Sequence, residues 1–216
     1  MNYKILGQHY ENCLEQHGDS HLGVDWPNAI DASVRYNIMI DLIRSGERDF
    51  SILDFGCGVG HFLEHLQIKA LKGYQYTGVD LSAKFIELCK KKFPAERFFQ
   101  IDIIDEMLPE EYDYIVANGV FTEKRDLSFN EMFDFFSVVV LKLFQACKVG
   151  CAFNVMSAQV EWKRDDLFHL PLDRLADFLA ANLSRNFIIR NDYGLYEYTV
   201  YIYKKSSYAT SYAKRQ

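Results

Sequence analysis

The spacing of apolar residues changes more than once along this chain, and the changes divide it. From residue 50 onward, short apolar runs alternate with longer stretches in which apolar positions recur every three or four residues. The short runs predict buried strands over 51–55, 75–80, 98–101, 113–118 and 151–156. The longer stretches predict amphipathic helices. One runs over 61–70 with Phe62, Leu63 and Leu66 facing inward. The next is capped by Ser82, carries Phe85, Ile86, Cys89 and Phe93 on its apolar face, and is stopped by Pro94. A third opens on the capping box Ser128-Phe129-Asn130-Glu131 and runs to Lys148, with Gly150 as its stop. Strand and helix in alternation predict an α/β fold built on a doubly wound, mainly parallel sheet.

The rhythm differs at the two ends. After the fifth strand, a helix over 172–183 precedes two strands near 186–190 and 197–203, joined through Asp192-Tyr193-Gly194. So short a connection allows only an antiparallel pair. Before residue 50, a helix is expected over 30–44, where Val34, Ile38 and Leu42 form one stripe and Ser45-Gly46 ends it. The first 30 residues have weak periodicity and carry His9, His17, His21 and Trp26. The pattern thus divides the chain into an N-terminal helical extension or lid (1–49), a main domain (50–205) and a loose tail (206–216).

Composition narrows the class. The 216 residues suit one domain, and 49% hydrophobic with 25% charged residues is ordinary for a globular protein. A net charge of −6 argues against a nucleic-acid or membrane-surface partner. Charges and amides in the first residues read as no secretory signal, and no apolar run approaches the roughly 18 residues of a membrane span. Cys13, Cys57, Cys89, Cys147 and Cys151 are odd in number and form no C-x-x-C pair, which predicts reduced thiols and a cytoplasmic protein. The oligomeric state is left open.

Chemistry concentrates in Ser51–Gly60. An apolar strand ends at Asp54-Phe55, and Gly56, Gly58 and Gly60 follow at alternate positions. Glycines there let the backbone turn sharply and approach a ligand, and the next helix points its N–H groups at it. Twenty-four residues after Gly56 the second strand ends at Asp80, where a carboxylate can accept hydrogen bonds from two ribose hydroxyls. A dinucleotide-binding oxidoreductase, using NAD or NADP, would share this geometry. Its fingerprint wants a third glycine one residue later, where this chain has His61.

Asp54-Phe55-Gly56-Cys57-Gly58-Val59-Gly60 resembles the first motif of the class I S-adenosylmethionine-dependent methyltransferases, an acid followed by Gly-x-Gly-x-Gly. By that resemblance Asp80, followed by Leu81, is the ribose-binding acid. Asp102, followed by Ile103, is the acid on the adenine side. Asn118, in Asn118-Gly119-Val120-Phe121, closes the fourth strand beside the methionine part of the cofactor. The resemblance spans about residues 50–205 and implies a Rossmann-like, seven-stranded sheet with an antiparallel last strand. It also implies methyl transfer from S-adenosylmethionine, with S-adenosylhomocysteine as product. The Asn-Pro-Pro-Tyr form of the fourth motif, carried by relatives that methylate adenine bases or glutamine amides, is replaced here. A small-molecule acceptor, methylated on oxygen or nitrogen, is therefore expected, of the natural-product, sugar or surface-glycan kind. A non-catalytic module that only binds the cofactor is the other reading.

Other residues carry weaker signals. His61-Phe62-Leu63-Glu64-His65 matches H-x-x-E-H, yet the helix begins at the glycine turn and no third ligand has sensible spacing, so no metal is expected. His61 is instead expected near the cofactor. Asp25-Trp26-Pro27 and Arg35 are candidates for a lid, with Trp26 on the ligand and Arg35 on a carboxylate. No catalytic base is evident. His169, before Pro171, and Tyr193, near Glu197, are the candidates.

Overall fold

A computed structural model describes residues 2–44 and 46–207. The chain runs α1 (Lys4–His17), a short 3-10 turn (Leu22–Val24), α2 (Ala29–Ile40), β1 (Phe50–Phe55), α3 (His61–Ile68), β2 (Tyr74–Asp80), α4 (Ala83–Lys92), β3 (Arg97–Gln100), β4 (Tyr112–Phe121), α5 (Phe129–Ala146), β5 (Cys147–Ser157), β6 (His169–Leu170), α6 (Leu172–Asn182), β7 (Phe187–Arg190) and β8 (Glu197–Tyr203). The strands form one sheet in the order β3-β2-β1-β4-β5-β8-β7. β8 runs antiparallel to both of its neighbours, and every other pairing in the sheet is parallel. The expected seven-strand path is therefore present. It gains β6, two residues beside β5 that are too short to leave a periodic signal.

Both faces of the sheet are buried, and the strands show it at period two. Leu53, Ile115, Ala117, Cys151 and Phe153 face a core built on α5 and α6 through Phe136, Val140, Leu143, Leu175 and Leu179. Ile52, Tyr114, Val116 and Ala152 face the other side, against Met39 of α2, Leu63 and Leu66 of α3, and Ile86 and Cys89 of α4. Phe121, Phe136 and Phe153 meet edge to face at centroid distances of 5.1–6.0 Å in the first core.

The helix starts follow local chemistry. Ser82 caps α4 through the Phe85 amide, and Ser128 and Glu131 cap each other at α5. The helix ends follow tertiary contacts instead. α5 stops at Ala146, not at Lys148, because Cys147 already pairs with Tyr112 as the first residue of β5. α2 ends at Ile40, four residues before the expected stop. The N-terminus holds the largest correction: α1 occupies Lys4–His17, where weak periodicity predicted no element. From residue 208 on, the expected tail lies outside the described residues, as does Ser45. Among the described residues, no helix is long and apolar enough to cross a membrane.

Candidate active site

β1 and β4 are neighbours at the centre of the sheet, and the chain leaves them in opposite directions. A crevice must open there above the strand tips. It forms a cleft enclosing about 1090 Å³, including its mouth, lined by Asp54–Gly58, Asp80-Leu81, Ile101–Ile104 and Asn118–Val120. Nine of the ten sequence-predicted cofactor residues line it: Asp54, Gly56, Cys57, Gly58, Asp80, Leu81, Asp102, Ile103 and Asn118. Gly60 does not. It is left-handed, at φ 82°, and a Cβ there would meet Phe93 Cε2 at 2.6 Å. Its smallness brings α3 close to α4 rather than bringing the backbone close to a ligand.

The glycine turn is fixed from below. The amides of Gly56 and Cys57 both donate to the Val79 carbonyl, at 2.7 and 3.0 Å, which ties the turn to the tip of β2. Gly56 has φ 75°, and a Cβ on it would meet Val120 Cγ2 at 2.5 Å. Gly58 has φ 53°, and its amide donates to Asp80 Oδ2 at 3.0 Å. The Ser82 amide donates to Asp80 Oδ1 at 2.9 Å. Both Asp80 oxygens thus accept from backbone amides at the cleft floor. Burial pushes the Asp80 carboxyl up to about 6, while the Ser82, Gly58 and Leu81 amides pull it back. Asp54 is buried too and accepts from the Tyr76 hydroxyl at 2.7 Å. Burial raises it to about 7, against the pull of that hydrogen bond.

The far end of the cleft is closed by the N-terminal segment. Tyr3, at the start of α1, and Leu6, Gly7 and Tyr10 within it line it, together with Val24 and Trp26. Their spacing of i, i+3, i+4 and i+7 is one helix face, a signal present in the sequence but hidden because the face carries a glycine and two tyrosines. The Tyr3 hydroxyl donates to both oxygens of Asp102, at 2.9 and 2.7 Å, and its ring stacks on Phe135. Glu11 accepts from the Ser82 hydroxyl and pairs with Lys84, which fastens α1 to the start of α4.

Trp26 and Arg35 come together, Trp26 on the cleft and Arg35 on a carboxylate of the chain itself. Trp26 lines the cleft and presses on Gly119, where a Cβ would lie 2.6 Å from Trp26 Cζ2. Arg35 sits behind it, its guanidinium 4.2 Å from the ring centroid. Arg35 Nε donates to Glu197 Oε2 at 2.8 Å, and Asn154 Nδ2 donates to Glu197 Oε1 at 3.0 Å. Asn154 Oδ1 in turn accepts from the Gly119 amide at 2.7 Å. This buried chain links the helix before the sheet to the end of β4. Burial raises the Glu197 carboxyl, and Arg35 pulls it down. Two buried atoms beside the chain have no partner among the described residues: Asn118 Oδ1, in the cleft wall, and Arg35 Nη1.

The candidates for a base lie elsewhere. Neither His169 nor Tyr193 lines the cleft. Both ring nitrogens of His169 are engaged, Nδ1 with the Ser157 carbonyl at 2.7 Å and Nε2 with the Arg164 amide at 3.3 Å. The Tyr193 hydroxyl is held by Thr199 and Glu197. His61 does line the cleft, with Nε2 bonded to Asp19 at 3.0 Å. His65 Nε2 bonds Asn37 at 3.0 Å, so the two histidines of the H-x-x-E-H match serve different partners.

The residues fit a cofactor that carries a nucleoside and an amino acid. The left-handed turn at Gly56 and Gly58 brings bare backbone to the cleft wall. The orphaned Asn118 carbonyl oxygen calls for a hydrogen-bond donor, as an α-amino group is.

Comparisons with known proteins agree. The family model for a methyltransferase domain matches residues 53–134. A Mycobacterium tuberculosis protein whose methyltransferase assignment is itself provisional is 30% identical over 159 residues, covering 73% of this chain and 95% of that protein. A malonyl-[acyl-carrier protein] O-methyltransferase from Priestia megaterium is 38% identical over 76 residues, which is 34% of this chain and 27% of that protein. Among solved structures, the magnesium protoporphyrin IX methyltransferase of Synechocystis, with S-adenosylmethionine bound, superposes with a TM-score of 0.64 at 15% identity, over 95% of this chain and 98% of that one. A plantazolicin methyltransferase in complex with a desmethyl-plantazolicin analogue and S-adenosylhomocysteine gives 0.60 at 16% identity, over 94% and 98%.

Fold and cleft together define a Rossmann-like enzyme that binds a nucleoside-bearing cofactor at its switch point. Within that class, the chain belongs to the class I S-adenosylmethionine-dependent methyltransferases, and its cofactor is S-adenosylmethionine. That membership sets aside the oxidoreductase and the non-catalytic module.

Proposed function

We propose that this enzyme methylates an oxygen or nitrogen of a small-molecule acceptor. The observation that carries the reading is the cover: Leu6, Gly7, Tyr10, Val24 and Trp26, all from the first 26 residues, roof the cleft opposite the strand tips. A roof supplied by the chain itself leaves room for a small acceptor group. The names of one relative, a malonyl-[acyl-carrier protein] O-methyltransferase, and of one similar structure, a plantazolicin methyltransferase, support acceptors of small or carrier-borne kind. The net charge of −6 speaks against nucleic acid. Five cysteines that are free in the structure support a reducing, cytoplasmic setting. In the same reading, residues 1–49 act as lid and 50–205 as the methyltransferase domain.

The walls of the cleft support the cofactor roles that the motifs imply. Asp80 would accept from the ribose hydroxyls. Leu81 and Ile103 would flank the adenine, with Asp102 at its edge. The backbone of Gly56, Cys57 and Gly58, with Asp54, would hold the amino-acid portion, and Asn118 Oδ1 would accept from its amino group. When bound, S-adenosylmethionine supplies an electrophilic methyl group on a positively charged sulfur. The chain's part is to align the nucleophile with that methyl group and to exclude water, which Trp26, Val120 and Tyr10 do by closing the cleft over it. An amine acceptor loses its proton to solvent before it binds. A hydroxyl acceptor needs a base at the cleft rim.

Incubation with methyl-labelled S-adenosylmethionine and a library of hydroxylated and amino acceptors tests the reading. Transfer of label to at least one small acceptor is expected. Label appearing only on amino-acid side chains of protein, or on RNA or DNA, would contradict it.

A further inference from the structure

A cluster outside the cofactor contacts holds three different donor types. His9 and Cys13 stand four residues apart on one face of α1, and Asp25 approaches them from the turn after Leu22–Val24. His9 Nε2 lies 2.7 Å from Asp25 Oδ2 and 3.8 Å from Cys13 Sγ, and all three ligand atoms lie within 4.8 Å of one another. Metal–ligand bonds of about 2.0–2.3 Å at tetrahedral angles separate such ligands by about 3.3–3.7 Å. The His9–Cys13 separation is already close to that range. The His9–Asp25 pair reaches it by opening less than about an ångström, a rotamer-scale movement.

We propose that His9, Cys13 and Asp25 form a zinc site with one open coordination position at the rim of the cofactor cleft. Thiolate, imidazole and carboxylate together select a thiophilic divalent cation over magnesium or calcium. Binding forms a sulfur–zinc bond, and the Cys13 thiol gives its proton to solvent. Position gives the site its consequence. Tyr10 follows His9, Trp26 follows Asp25, and both line the cleft. The ion therefore clips α1 to the Trp26 segment, the two parts of the roof.

Equilibrium dialysis of the metal-free full chain against zinc, with elemental analysis, tests this, and cobalt serves as a spectroscopic probe. The expected result is one ion per chain, a sulfur-to-cobalt charge-transfer band, and a rise in melting temperature that a chelator reverses. Cys13→Ser should abolish the band and weaken zinc binding at least tenfold. Asp25→Asn, checked alongside by circular dichroism, should weaken it tenfold without loss of fold. Cys89, Cys147 and Cys151 are buried, and the Cys13→Ser variant separates the band from Cys57 in the cleft wall. Absence of saturable binding by the wild type would overturn the proposal, leaving a hydrogen-bonded His9–Asp25 pair. So would full zinc affinity in both folded variants.

Discussion

The floor and the roof of one cleft are built by different means. The floor is local: Asp54 to Gly60 turns where three glycines permit it, and Val79 and Asp80, at the tip of the adjacent strand, hold the turn by its own amides. The roof is non-local: Tyr3 reaches Asp102, Glu11 reaches Ser82, Trp26 rests on Gly119, and Arg35 reaches Glu197, 162 positions away. A floor that depends on backbone conformation tolerates little change at a few positions. A roof that depends on side-chain partners should loosen contact by contact, except where it is anchored by charge.

That anchor carries the largest expected effect. Arg35→Ala leaves Glu197 charged and unpaired at 1% exposure, which should cost about 3–5 kcal/mol of stability. Chemical denaturation checks it, and adding Glu197→Gln should recover much of the loss. A cost under about 1 kcal/mol would mean that the roof is not held through this pair.

The glycines separate floor chemistry from floor packing. Gly56→Ala and Gly60→Ala each force a side chain into left-handed backbone, at φ 75° and 82°, for about 1–2 kcal/mol. Only Gly56 lines the cleft. Gly56→Ala should therefore weaken S-adenosylhomocysteine binding at least tenfold, whereas Gly60→Ala should lower stability, through Phe93, and leave affinity nearly unchanged. Equal losses of affinity in calorimetry would erase the distinction.

Acidity gives a smaller and graded effect. Burial raises Asp80 from an ordinary 3.8 to about 6, so the folded chain keeps a proton that the unfolded chain releases. This group's contribution to stability is fully present below about 3.8 and is lost as pH rises through about 6. Binding runs the other way, because the ribose hydroxyls need the ionised carboxylate. Affinity for S-adenosylhomocysteine should be level above pH 7 and fall about tenfold for each unit below 6, a slope that Asp80→Asn should remove.

The floor was legible in the sequence and the roof was not, for the same reason. Glycine spacing, Asp80 at a strand end and the Ser128–Glu131 capping box are short-range features whose meaning is set within a few residues. α1 escaped notice because its inward face is shared between the cleft and the core, so Gly7 and two tyrosines stand where leucines would have revealed it. His169 looked available as a base because sequence does not show that Ser157 and Arg164 occupy both its nitrogens. Gly60 looked like a cofactor contact because motif position does not distinguish a ligand from Phe93.

The central claim is that the cleft over Asp54, Gly56, Asp80 and Asn118 holds S-adenosylmethionine through the floor. Calorimetric titration of the wild type and of Asp80→Ala with S-adenosylhomocysteine, and separately with NAD, tests it most directly. The wild type should bind S-adenosylhomocysteine in a one-to-one complex and not bind NAD. Loss of the carboxylate's hydrogen bonds to the ribose should weaken binding by about 2–3 kcal/mol, or roughly 30- to 150-fold. Unchanged affinity in a folded Asp80→Ala chain, or binding of NAD in place of S-adenosylhomocysteine, would contradict the account.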